Sequence, residues 1–158
     1  MTAAYSRLQI ALHWLIALLI AAAWFTHDGM GRALHQRIES GASGIEGNTL
    51  HVWLGGVVFA LILIRLAVRA AQGAPAPVGT PAMQQAAVWG HRLLYVLMLA
   101  VPALGAAAWY GGIEDAGEVH ELAGNALMIV ALGHAAVALW HQYVRRDGTL
   151  TRMLRPGA

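Results

Sequence analysis

Eight histidines stand in this chain of 158 residues, and four of them are spaced as metal ligands would need to be. His120 and His134 lie fourteen residues apart on one apolar stretch. Fourteen residues close nearly four helical turns, so both imidazoles point to nearly the same face, roughly 21 Å apart along the axis. His13 and His51 sit on two other apolar stretches, at depths matching His134 and His120 respectively. Two facing pairs of imidazoles, one near each side of an apolar layer, are what two stacked b-type haems need as axial ligands. The chemistry would be one-electron transfer at irons with both axial positions filled, leaving no site for oxygen or substrate.

The elements carrying these residues are membrane spans by composition. The chain is 58% hydrophobic and 11% charged, with a mean hydropathy of +0.56; a soluble domain carries about 25% charged residues. Four apolar segments, over residues 8–25, 50–71, 82–109 and 119–144, each reach the roughly 18 residues that span a hydrocarbon core. They predict an all-α, integral membrane four-helix bundle forming a single domain over residues 1–158. Pro102 is expected to kink the third helix. Asn48 and Thr49 can cap the second, Pro75, Pro77 and Pro81 separate the second from the third, and Asp147-Gly148 ends the fourth. Residues 27–49 are Gly-rich and weakly amphipathic, and no firm structure is assigned to them.

All ten basic residues are arginine. Arg7, Arg65, Arg69, Arg92, Arg145, Arg146, Arg152 and Arg155 fall on the side of the N-terminus, and Arg32 and Arg37 on the other; of the acids, only Asp147 joins the first group. This asymmetry puts both termini in the cytoplasm and the acidic segments, 28–46 and 114–118, in the periplasm of a bacterium, with the chain in the inner membrane. It also accounts for the pI near 9.5 without nucleic acid. Arg7, an apolar run and Ala21-Ala22-Ala23 imitate a signal peptide, but the run is long for one, and cleavage would remove His13. With no cysteine, haem cannot be attached covalently and disulfides are excluded.

The remaining histidines are weaker ligand candidates. His141 is 21 residues from His120, which puts it about 31 Å away, at or beyond the edge of the core. A porphyrin needs room beside its ligand. Small residues follow one turn after the chosen four: Ala17, Gly55, Gly124 and Ala138. Tyr95 follows His91, and Arg145 follows His141. His91, between Trp89 and Arg92, suits a haem propionate or a quinone headgroup better than an iron. His27 and His35 are expected in solvent. His120-Glu121 opens like a helical zinc motif, but Gly124 stands where the second histidine is required. No nucleophile elbow, phosphate loop or dinucleotide fingerprint is present. Arginines 7, 65, 69, 92 and 145 are candidate partners for propionates, and the six tryptophans are read as interfacial anchors.

At these residues the chain resembles the bacterial cytochrome b561 family, related to the b-type cytochrome subunits of nickel-iron hydrogenases. The resemblance lies in Tyr5-Ser6-Arg7-Leu8-Gln9-Ile10-Ala11-Leu12-His13-Trp14-Leu15; in His51 with Gly55, Arg65 and Arg69; in Trp89-Gly90-His91-Arg92 through Tyr95, Pro102 and Gly105; and in His120-Glu121, Gly133-His134-Ala135, His141 and Asp147-Gly148-Thr149-Leu150. It covers nearly the whole chain, which is short for the family between the third and fourth helices. It implies two non-covalent b haems exchanging electrons with the quinone pool. It supports His13 and His134 as ligands on the cytoplasmic side and His51 and His120 on the periplasmic side; His91 and Arg7 are expected as contacts to propionate or quinone from the reading of the residues above.

Three functions follow as alternatives: a free-standing quinol-linked di-haem cytochrome; a membrane anchor subunit serving a soluble redox partner such as a dehydrogenase or hydrogenase; and a haem-free transporter using histidines as proton or metal relays. Short periplasmic loops favour the first. Lipid and quinone are the expected partners, and a homodimer is kept open.

Overall fold

The computed structural model describes residues 4–156, so the outermost residues of the domain read over 1–158 lie outside it. In chain order its helices are α1 (Arg7–Phe25), α2 (Met30–Glu39), α3 (Leu50–Gln72), α4 (Pro81–Gly111) and α5 (Glu114–Trp140), the last continued by a π-helical turn, His141–Arg145. No strand occurs among the described residues. α1, α3, α4 and the continuous α5 element are long and apolar enough to cross a membrane, as the four segments predict.

Local chemistry sets the ends. Ser6 and Gln9 form a reciprocal capping box at α1, and Thr49 caps α3 through the Val52 amide. Pro81 opens α4, where its missing N–H costs nothing, and the helix continues as one element through Pro102 to Gly111, with Gly112 as its C-cap. α5 begins five residues before position 119. Glu114 and Asp115 belong to its first turn, where carboxylates complement the unpaired amides, so residues 114–118 are helix rather than loop.

α2 is the element that periodicity leaves without structure. Ten residues do not hold a helix in isolation; this one is held by docking. Leu34 is buried with Ala108 and Trp109. It lies over Gly117, where an added Cβ would come within 2.9 Å of Leu34 Cδ2.

α1 packs on α3, α3 on α4 and α4 on α5, while backbone contact between α1 and α5 is sparse. The two ends of the described chain share one end of the bundle. Ser6 Oγ donates to Gln72 Oε1 at 2.7 Å, Gln9 Nε2 to the Gly73 carbonyl at 2.8 Å, and Trp14 Nε1 to the Met153 carbonyl at 2.7 Å. We call this the terminal end and the other the α2 end. At mid-length, Ile16, Val58 and Ile62 form an apolar centre bordered by Leu19, Ile20, Met98 and Leu99. Outward side chains such as Leu18, Leu122 and Ile129 are about two-thirds exposed or more, a surface that suits lipid and not water.

Candidate functional site

The histidines gather at two levels, one on each side of the apolar centre. Toward the terminal end, His13 on α1 and His134 on α5 have ring centroids 6.3 Å apart, planes crossing at 71°. Toward the α2 end, His51 on α3 and His120 on α5 have centroids 5.9 Å apart, planes crossing at 89°. Two metal–nitrogen bonds of about 2 Å, plus the half-width of each ring, separate imidazoles sharing one metal by about 6 Å. Both pairs have that separation, and α5 contributes to both. No group of three or more His, Cys, Asp or Glu side chains is placed to hold a metal ion by itself among the described residues. A metal held here must therefore bring most of its own ligands, as a porphyrin iron does.

At the α2 end both histidines are tied to backbone carbonyls. His51 Nδ1 lies 2.9 Å from the Ala23 carbonyl, and His120 Nδ1 lies 2.7 Å from the Val101 carbonyl. An Nδ1–H donating to a carbonyl leaves Nε2 with its lone pair, the tautomer a metal requires. Gly55 and Gly124, one turn beyond each histidine, face open space: an added Cβ would meet nothing within 4 Å. Gly105 is the opposite case. A Cβ there would lie 3.0 Å from His120 Cε1 and Nδ1, so the imidazole rests on the α4 backbone.

At the other level, Arg65 donates from Nη1 to the Gln9 carbonyl at 2.9 Å and directs Nη2 toward His13 Nδ1 at 3.5 Å. Arg69 stacks over Tyr95 at 5.8 Å, and Arg92 over Trp89 at 4.8 Å. Arg7 is exposed on the first turn of α1, whereas Arg65 stands beside His13. His91 joins this level, its ring centroid 5.2 Å from that of His134 and its Nδ1 2.6 Å from the Ala87 carbonyl.

The other histidines lie apart. His141 is buried, and its Nδ1 meets Asp147 Oδ2 at 2.5 Å. Burial alone would raise the Asp147 pKa; hydrogen bonds from Thr149 and His141 outweigh it and hold the carboxyl at about 2. His27 lies 3.7 Å from Asp28. His35, on α2 rather than in a loop, lies 3.4 Å from Glu39 and 3.5 Å from Glu114, and both histidines are substantially exposed.

Arg37, counted from sequence only for topology, has a structural role. It is buried at the α2 end, with Nε donating to the Trp109 carbonyl (2.9 Å), Nη1 to that of Glu46 (2.8 Å) and Nη2 to that of Gly44 (2.7 Å). Its guanidinium also lies 4.7 Å from the centroid of the Trp109 ring. The one sequence signal was the amphipathic pattern of 30–39, which sets Leu34 and Arg37 on one face.

The family described as prokaryotic cytochrome b561 matches residues 4–156. The chain is 45% identical over 155 residues to a protein of Cereibacter sphaeroides named cytochrome b562, covering 96% of both chains. That relative is nearly equal in length, so shortness does not set this chain apart from all its kin. It is 29% identical to a probable superoxide oxidase CybB of Yersinia pestis, covering 95% of each, and 28% identical to cytochrome b561 homolog 1 of Escherichia coli, covering 95% of this chain and 96% of the relative. No solved structure matches.

Proposed function

The chain belongs to the prokaryotic cytochrome b561 family, and from this we propose that it holds two b haems and passes electrons across a bacterial inner membrane between the quinone pool and a second donor or acceptor. As a membrane b-type cytochrome it is an electron-transfer protein, which removes the haem-free transporter from consideration.

In this reading His13 and His134 ligate one haem and His51 and His120 the other. The observation that carries it is the pairing of imidazoles at 6.3 and 5.9 Å on two levels. Haem b, when bound, supplies a one-electron iron couple. The chain's own residues do the rest. The Ala23 and Val101 carbonyls hold two of the imidazoles in the ligating tautomer. Ile16, Val58 and Ile62 keep water and ions out of the space between the levels, because a hydrated charge is costly in an apolar medium. Arg65 offers a cation beside the His13 level, where a haem carboxylate would be paired. His91 and Arg7 remain contacts for a propionate or a quinone headgroup. The arginine excess assigns the terminal end to the cytoplasm.

A relative's name raises superoxide as a donor. Seven of the eight acids (all but Asp147) lie toward the α2 end, and Arg37 is spent on carbonyls, so that end disfavours an anion. Quinol is the better-supported reductant, and a soluble partner remains the alternative to a free-standing role.

The test is a reduced-minus-oxidised spectrum of the purified protein with quinol as reductant, for the natural chain and for His134→Ala. Quinol should reduce two b-type components in the first. The variant should lose the one on the His13 level and keep the other. Loss of both from a folded variant contradicts the pairing.

A further inference from the structure

Each imidazole at the α2 end is held in orientation by a backbone carbonyl, that of Ala23 for His51 and that of Val101 for His120. Toward the terminal end no carbonyl accepts from His134 among the described residues, and what stands against its ring is His91 of α4. The two centroids are 5.2 Å apart and the planes cross at 73°, an edge-to-face contact. That spacing is too short for two ligands of one iron and suits rings that touch directly. His91 is therefore the neighbour of a ligand at this level and not itself a ligand.

His91 is firmly placed. Its Nδ1 is tied to the Ala87 carbonyl, one turn earlier on α4, at 2.6 Å. α4 and α5 also form the closest helix pair of the bundle. A metal-bound imidazole can turn about its metal–nitrogen bond unless a neighbouring group holds it. His134 could not turn far without driving into His91, and His91 has no freedom to follow.

We propose that His91 is a positioning residue that fixes the ring plane of His134, and with it the 71° crossing of the His134 and His13 planes. The inference rests on the reading of those two histidines as a ligand pair. Ring orientation matters because an axial imidazole interacts with the iron d orbitals according to its plane. Parallel planes both act on one orbital and split the set; crossed planes act on two orbitals alike. The crossing angle therefore sets the anisotropy of the low-spin EPR signal and helps tune the metal. A ligand already held in place also need not rearrange when the iron changes charge. No bond to His91 forms or breaks in this role.

Low-spin EPR spectra and haem content of quinone-free, purified His91→Ala and His91→Phe, beside the natural chain, test the proposal. The natural chain should give two strongly anisotropic low-spin signals. His91→Ala should keep two haems, but the signal that His134→Ala removes should broaden and shift in its largest g value. The signal of the His51 level should not move. His91→Phe puts a ring edge back in the same place and should return the shifted signal toward its natural position. With quinone absent, contact to a headgroup cannot produce this pattern. An unchanged signal in His91→Ala, no recovery in His91→Phe, equal movement of both signals, or loss of a haem would each overturn the proposal. Retention of both haems by His134→Ala would instead overturn the ligand pair on which it rests.

Discussion

Gly105 lets the His120 ring lie against the backbone of α4, and an alanine there should disturb one histidine level and spare the other. The added methyl would sit 3.0 Å from two ring atoms, about 0.4 Å inside the 3.4 Å at which ordinary contact begins. α4 cannot yield easily, because it is packed along α5 at this point. The ring must move, and it is held by a 2.7 Å hydrogen bond to the Val101 carbonyl, one turn before Gly105. Overpacking of this size costs about 1–3 kcal/mol, and loss of the hydrogen bond adds about 1 kcal/mol. Taken against haem binding at the His51–His120 level, about 2–4 kcal/mol is roughly a 30- to 900-fold loss of affinity. The assay is haem transfer from the purified variant to an excess of apomyoglobin, followed at wavelengths that separate the two b components. One component should leave much faster than in the natural chain, and the other at an unchanged rate. Equal acceleration of both, or of neither, would refute the reasoning.

Other outcomes follow from the ends of the bundle. Arg37→Lys keeps the charge but loses the planar fork that reaches three carbonyls. It should lower thermal stability in detergent by about 2–4 kcal/mol and speed amide exchange in α2, with haem content unchanged; exchange as slow as in the natural chain would count against the clamp. Asp147 is held at about pKa 2 against an ordinary 3.8, so its hold on His141 and Thr149 is complete above pH 3.8 and fades as pH falls toward 2. Proteolysis of residues 147–156 should accelerate over that window, and Asp147→Asn should show the fast rate already at neutral pH. A rate flat with pH in the natural chain would contradict this.

The bundle was legible because its signals are local and strong. Four apolar runs, a proline-rich separator and capping residues such as Thr49 define helices without reference to anything distant. The histidine levels were legible because two members share one helix, so their spacing converts directly into depth. Features that depend on two distant segments were not. α2 exists because Leu34 finds Gly117 and Arg37 finds the carbonyl of Trp109, 72 residues away, and no local pattern announces either contact. Sequence spacing gave His91 the right depth but not its direction. Its neighbours Trp89 and Arg92 stack on each other, while His91 itself turns toward His134. His141 was set aside on distance, and Asp147 only six residues further on is what occupies it.

The central claim is that imidazoles from separate helices hold two porphyrin irons, one at each level. A pyridine haemochrome assay on the purified protein, with protein quantified by amino-acid analysis, tests it most directly. Protohaem at two per chain is expected. A colourless preparation, or one haem per chain at saturation, would contradict it.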